Sequence, residues 1–294
     1  MMEVPLQRLR LADTIDGVIN NSYMGKSHVF GSRDKYQISK AMESAGIPIP
    51  TTMTVEEYLD SAERLLPAVL KERNGTLGKG VYYIDRPDLI ERFFVEETYS
   101  RTPGKTPRKR KYLVQQFIHA PGGFFNHYRV FTVGGEILGC VLNVRMAVKE
   151  SEDAARETRS FEDIFHDLGS YPLASNVARG GRQIPVSHQP ESEISMFYAN
   201  ILEAHGIDPK IVAIPQPLKE LAQLSGRELR KHGFAYTGQD WIMDKQGNYY
   251  FLEANPAPSF EIFNTLFFDG KGRRADYRAL AIRKIVAAIR RLSP

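Results

Sequence analysis

Short apolar runs, separated by polar and glycine-proline punctuation, divide the chain into elements of helical and strand period. Residues 34–46, DKYQISKAMESAG, predict a helix: Asp34 stands at the N-cap, Ile38, Met42 and Ala45 share a face, and Gly46 ends it. IPIPTT then predicts an extended stretch, because proline excludes helix from the residue before it. VEEYLDSAERL, 55–65, predicts a second amphipathic helix. PAVLK, 67–71, and VYYI, 81–84, predict strands joined by the glycine-rich NGTLGKG, and 87–98 a helix. A basic, proline-containing loop at 100–111 leads into a strong strand, KYLVQQFI, 111–118. HYRVFTV and EILGCVLNVR predict a hairpin. Centred on Gly134 and Gly135, it pairs 129 with 140 and leaves Arg145 beyond the paired segment. Residues 149–175 carry no clear period, and ASNVARGGRQIPV reads as a loop entering a strand. Helices are expected at 191–204 and 217–232, and a terminal one at 275–292 carries Leu280, Ile285, Val286, Ile289 and Leu292. Helices and strands mix without βαβ alternation, so the fold class expected is α+β.

One further hairpin is anomalous. QDWIMDKQGNYYFLEAN, 239–255, has strand-forming residues on both sides of a turn, yet carries Asp240, Glu253 and Asn255. A two-residue turn at Gln246 and Gly247 pairs 242 with 251 and sets Asp240 opposite Glu253, with Asn255 on the same face. Like charges so placed repel, and a cation between them reverses the penalty. Hard divalent ions favour such oxygen donors, with water and phosphates completing the shell. The bland reading is a solvent-facing side with scattered acids, and from the hairpin alone the two readings stand level.

Composition narrows the class only a little. At 294 residues the chain holds one large domain or two smaller ones, and its 42% hydrophobic content suffices for a core. The single cysteine, Cys140, excludes an intrachain disulfide framework and points toward a reducing compartment, so a cytoplasmic location is expected. The N-terminus lacks an apolar signal region, and no run is long enough to span a membrane. A formal net charge of +4 suits an anionic small-molecule partner and gives no argument for nucleic acid.

Chemistry-bearing residues fall in four further places. Gly75, Gly78 and Gly80 leave backbone N–H groups able to face an anion, and Lys71 ends the strand before them. No Walker A pattern is present, and a flexible turn with an outward lysine accounts for the loop as well. Arg129 and Arg145 sit in or beside apolar strands, where guanidinium forks suit phosphate and carboxylate; a solvated sheet face explains them equally. SNVARGGR, 175–182, reads as an anion nest or a basic turn, and KTPRKRK as a solvated loop. Cys140 lies inside a strand and reads as core, and the histidines show no metal-ligand spacing.

Taken in order, these pieces resemble the ATP-grasp superfamily, most closely its ribosomal-protein glutamate ligase-like (RimK-like) carboxylate–amine ligases. RDKYQISKAMESAGIPIP resembles the opening helix with its AGI-x-x-P segment. PAVLKERNGTLGKGVYYI resembles the lysine and glycine-loop hairpin, and YLVQQFI the adenine hinge strand. HYRVFTVGGEILG resembles the D-x-R-x-x-V-x-G hairpin; SNVARGG and Asp240 with FLEANP resemble the asparagine–GG loop and the D…E-x-N metal site. The likeness spans about residues 32–260.

The resemblance implies two α+β subdomains clasping ATP. A helical lead-in (34–68), a flap subdomain (69–119) and a C-terminal subdomain with the metal site (120–294) would follow a 1–33 remnant of the usual N-terminal α/β domain. Lys35 and Lys71 would hold the phosphates, with Gly75, Gly78 and Gly80 as a flap over them. Gln116, Phe117 and Ile118 would line the adenine pocket. Asp240, Glu253 and Asn255 would seat two Mg²⁺ ions, Mn²⁺ being the alternative metal. Arg129 and Arg145 would stabilise the transferring phosphoryl group, and Asn176 and Arg179 the metal-linked phosphate or the substrate carboxylate. The implied activity is ATP-dependent joining of a carboxylate and an amine, of small-molecule or peptide origin, through an acylphosphate. A regulatory ATP-binding module and a kinase of the same fold are the alternatives. Two positions depart from the pattern: His127 replaces an acid two residues before Arg129, and Ala174 stands where an arginine often precedes the Ser-Asn pair.

Overall fold

The computed structural model describes residues 34–75, 81–91, 111–121, 125–145, 182–186, 199–207, 213–234 and 236–255, with Pro258 and Arg283. The predicted segments at 149–175 and most of 275–292 lie outside these residues. Two antiparallel sheets organise the chain. The smaller contains β1 (Thr52–Thr54), β2 (Ala68–Glu72), β3 (Val81–Ile84) and β4 (Tyr112–Gln116), in the order β1-β4-β2-β3. The larger contains β5 (Phe125–Val133), β6 (Glu136–Arg145), β7 (Arg182–Pro185), β8 (Tyr236–Met243) and β9 (Tyr249–Asn255), in the order β7-β6-β5-β8-β9. The helices are α1 (Lys35–Ser44), α2 (Val55–Asp60), α3 (Ala199–Ala204) and α4 (Gln216–Lys231), with a further helical turn at 87–91.

Each sheet has one dry face. In the larger, Tyr128, Val130, Cys140, Leu142, Ile184, Trp241 and Phe251 form the core with Ile38 and Met42 of α1 and Leu218, Ala222 and Leu229 of α4. Strand alternation therefore sends His127, Arg129, Asn143, Gln183 and Asp240 to the opposite face. In the smaller sheet, Ala68, Leu70, Ile84, Tyr112 and Val114 pack on Val55 and Tyr58 of α2. Val69, Lys71, Leu113 and Gln115 belong to the other face, as their pairing shows.

Capping explains the helices' limits. Asp34 accepts from the Tyr36 N–H at 3.0 Å, and Gly46 beyond the helix end has φ +75. Thr54 and Glu57 form a reciprocal capping box at the start of α2. That helix is shorter than the sequence pattern predicts, ending at Asp60 and not Leu65. Ser61 has left the helix (ψ 136), and its hydroxyl accepts from the Glu63 N–H and donates to the Glu63 carbonyl, replacing the helical bonds.

Between α1 and β1 the chain is bonded to both sheets. The Pro48 carbonyl accepts from the Phe251 N–H on the outer edge of β9, and the Thr51 carbonyl from the Gln116 N–H of β4.

Two registers depart from expectation. Arg129 faces Val141, not residue 140, and Arg145 lies within the ladder, opposite Phe125, and not beyond it. An irregularity between Phe131 and Thr132 shifts the pairing by one residue. In the β8–β9 hairpin, Ile242 pairs with Tyr250 and Trp241 with Phe251, so the predicted 242–251 pairing fails. The turn is larger than two residues: Asp244 bonds across to Asn248 and Gly247 has φ +87. Asp240 nevertheless faces Glu253, because a bulge between Asp240 and Trp241 adds one residue to β9.

α4 lies close on the β5–β6 turn. Its Gly226 is so near that an added Cβ would stand 2.9 Å from the Gly135 Cα and 3.1 Å from Thr132 Oγ1. Beneath it, Ser225 donates to Gln239 Oε1 at 2.6 Å, and Gln239 donates to Thr132 Oγ1 at 2.8 Å. Gly226→Ala is therefore expected to lower unfolding free energy by about 1–3 kcal/mol, checked by urea denaturation. A buried histidine sets a pH response. His205 is 3% exposed and lies 3.1 Å from both the Asn126 amide and the Tyr128 hydroxyl, and burial lowers its pKa from 6.5 to about 4. Between those values the unfolded chain binds a proton that the folded chain refuses, so stability falls as pH falls from 6.5 toward 4. The expected slope is at most about 1.4 kcal/mol per pH unit from this group. Urea midpoints measured across that range in the parent and in His205→Gln should diverge, the variant being less acid-sensitive.

Candidate functional site

The polar faces of the two sheets meet around Lys71. Its ammonium donates to Gln115 Oε1 at 2.7 Å, and Gln115 donates onward to Thr52 Oγ1 at 3.0 Å. Desolvation lowers the Lys71 pKa; the carboxylates of Glu253 and Asp240 act against that, while Lys35 adds to it. A lysine of the small sheet thus lies in the field of two acids of the large sheet.

Those acids are arranged by the bulge in β9. Phe251 faces the core and is fully buried. Without the extra residue, Glu253 would share its side and be driven into apolar packing. The bulge re-aims Glu253 toward Asp240, and Ala254 toward the core. Asp240 is 5% exposed and held by a bidentate bond from Arg129, Nε to Oδ1 at 2.7 Å and Nη2 to Oδ2 at 2.6 Å. Burial alone would raise the Asp240 pKa; the Arg129 guanidinium, with Lys71 behind it, outweighs burial and holds the carboxyl below its ordinary value. Gly238, opposite Asn255, keeps the strand low here: a Cβ on it would approach Pro258 Cβ at 3.1 Å and Arg129 Cδ at 3.6 Å.

Lys35, the first residue of α1, reaches the start of the glycine loop. Its ammonium donates to the carbonyls of Glu72 (3.4 Å) and Gly75, and its N–H to the Arg73 carbonyl at 3.0 Å. Asp34 and Arg73 reinforce this junction through a bidentate ion pair, with Nη2 to Oδ2 at 2.5 Å, and Arg73 stacks over the Tyr36 ring at 4.9 Å.

The expected site residues therefore divide. Lys35, Lys71 and Gly75 come together at the end of β2, and Arg129, Asp240, Glu253 and Asn255 on β5, β8 and β9. Gln116 is exposed at the end of β4. The N–H groups of Gln116 and Phe117 are taken by the Thr51 and Pro67 carbonyls, at 2.8 and 3.0 Å. Phe117 stacks edge-on with Tyr83 and His119, and Ile118 is buried. Gly78, Gly80, Asn176 and Arg179 lie outside the described residues, and for Arg145 only the backbone is described.

Three features were missed by sequence reasoning. Gln115, not Gln116, shares the face of Lys71; strict alternation along β4 signals this. The Asp34–Arg73 clamp has no signal beyond the N-cap aspartate. His127 lies 3.8 Å from Asp240 and 3.1 Å from the Asn143 amide, with burial lowering its pKa to about 4.

The donor set fits a hard divalent cation in kind. Each Asp240 oxygen keeps a lone pair after its bond from Arg129, Glu253 stands opposite, and the Asn255 amide lies on the same side. Among the described residues no three His, Cys, Asp or Glu side chains form a ready metal cage, so a bound cation would need ligands from outside them.

No family model and no curated protein matches the chain. Solved structures do. D-cycloserine synthetase DcsG superposes with a TM-score of 0.56 at 12% identity, over 98% of this chain and 81% of that one. The ATP-grasp ligase PsnB complexed with a minimal precursor superposes at 0.51 and 12% identity, over 98% and 74%. PsnB with minimal precursor, Mg and ADP gives 0.51 at 13% identity, over 97% and 72%. With two antiparallel sheets bringing Lys71 to the acids of a bulged hairpin, and with these likenesses, the chain has the α+β fold of the ATP-grasp ligases.

Proposed function

We propose that the chain is an ATP-dependent carboxylate–amine ligase of the RimK-like kind. The observation that carries this reading is Lys71 of one sheet set against Asp240 and Glu253 of the other, beside the Arg129 guanidinium. Such a cleft has cations for phosphate oxygens and carboxylates for the metal that accompanies a nucleotide. Among the described residues no helix is long and apolar enough to cross a membrane.

Lys35 and Lys71 would bind the nucleotide's phosphates, and the chain from Gly75 to Gly80 would cover them. Gln116, Phe117 and Ile118 would border the base, through carbonyls and through the Ile118 N–H. Asp240, Glu253 and Asn255 would hold two Mg²⁺ ions, which supply charge neutralisation at the transferring phosphoryl group. Arg129, with Arg145, would face the same group; Asn176 and Arg179 would help bind the metal-linked phosphate or the carboxylate substrate. A substrate carboxylate oxygen bonds to the γ-phosphorus as the bond to the β-phosphate oxygen breaks and ADP leaves. An amine then attacks the acyl carbon, inorganic phosphate departs, and the amine proton is lost to solvent. The acid and the amine come from small molecules or peptides.

An ADP-release screen over acids paired with amines, with intact mass of the product, tests the reading. ADP and an amide are expected only when acid and amine are both present. ADP with a phosphorylated product and no amide would make the chain a kinase, and nucleotide binding without acceptor-dependent ADP a regulatory module. Asp240→Asn should reduce ADP release by about a hundredfold or more, since it weakens the hold on the Mg²⁺ that would neutralise the transferring phosphoryl group. Full ADP release by that variant would overturn the assignment. Gln115→Leu removes the acceptor that anchors Lys71, and the apparent KM for ATP is expected to rise about tenfold.

A further inference from the structure

A row of polar side chains crosses the larger sheet on the face away from its core, and part of it has no place in the ligase reading. Pairing runs Gln183 of β7 to Asn143 of β6, Asn143 to His127 of β5, Arg129 to Asp240 of β8, and Asp240 to Glu253 of β9. The β7 half is uncharged. Gln183 Nε2 donates to Asn143 Oδ1 at 2.9 Å. That bond turns the Asn143 amide nitrogen toward His127 Nε2, 3.1 Å away. An amide nitrogen only donates, so Nε2 accepts and carries no hydrogen. The imidazole is thus fixed in one orientation by a two-amide relay, with Nε2 3.8 Å from Asp240 Oδ1, too far for a hydrogen bond.

Position 127 shares its strand face with Arg129 two residues on, so a carboxylate there would crowd Asp240 and compete for Arg129. With an uncharged ring in place, Arg129 gives both Nε and Nη2 to Asp240. Arg129, Lys71 and Lys35 then face Asp240 and Glu253, so the cleft carries no excess negative charge.

We propose that His127, oriented by Gln183 and Asn143, is a positioning residue that keeps Arg129 committed to Asp240 and withholds a further anion from the cleft, so that a divalent cation is held only together with a nucleotide. This rests on the ligase reading above. The chemistry recognised is a metal–nucleoside polyphosphate as one unit, in preference to the free cation.

The full chain is titrated with Mn²⁺ alone and with Mn²⁺ plus ADP, following free Mn²⁺ by electron paramagnetic resonance. The parent should bind Mn²⁺ about a hundredfold more tightly with ADP than without. His127→Asp should bind Mn²⁺ without nucleotide about tenfold or more tighter than the parent, since it adds an anion beside Asp240. His127→Asn, which adds none, should stay within about threefold of the parent. If His127→Asp does not fold, judged by circular dichroism, His127→Glu carries the same charge and is read the same way. Equal Mn²⁺ affinity with and without ADP in the parent overturns the proposal whatever the variants do. So does a tightening in His127→Asn equal to that in the acidic variant. Absence of any Mn²⁺–ADP binding by the parent overturns the ligase reading itself, whereas nucleotide-linked binding with charge-blind variants overturns only the role of His127.

Discussion

A buried carboxylate with a bidentate arginine across neighbouring strands is the constraint on which the larger sheet turns. Asp240 is nearly inaccessible, and a carboxylate so placed without a partner would be strongly destabilising. Arg129 meets it with both bonds of its fork. The two residues can meet because Tyr128 and Trp241, their chain neighbours, are locked into the core on the other side. Apolar packing on one face thus dictates which charges must find each other on the other. Gly238 leaves room beside the guanidinium, and the β9 bulge brings Glu253 to the same surface.

The bulge also shows how a sequence can yield a right neighbour from a wrong register. Counting outward from a two-residue turn pairs Asp240 with Glu253, which the structure has, but it also pairs 242 with 251, which the structure lacks. The longer turn at Asp244–Asn248 and the extra β9 residue cancel at one point in the ladder. Uninterrupted alternation would put Phe251 and Glu253 on one side, one a core aromatic and the other a carboxylate. That conflict was present in FLEAN and was the signal of a bulge.

Elsewhere the sequence spoke through local chemistry and fell silent on distant partners. Asp34, Gly46 and the Thr54–Glu57 pair marked helix ends because caps act within a turn of the residue that makes them. The early end of α2 depends on Ser61 bonding its own neighbourhood, a competition that apolar spacing does not register. Gln115 was legible in principle, by parity along β4, whereas Gln239 with Ser225 and Thr132 unites three elements and leaves no trace in any one of them. Lys35 and Gly75, forty residues apart, were set at one site by the family resemblance alone, because no local pattern joins them.

The short stretch between α1 and β1 has a mechanical consequence. Its Pro48 carbonyl is fastened to one sheet and its Thr51 carbonyl to the other. Those anchor points are three residues apart, about 10 Å of extended chain at most. The start of α1 adds a second tie, since Asp34 and Lys35 bond to Arg73 just beyond β2 while Ile38 and Met42 of the same helix sit in the larger sheet's core. Sliding one sheet along the other would have to break bonds at both ties, and Lys35, bonded to the end of the strand that bears Lys71, would travel with it.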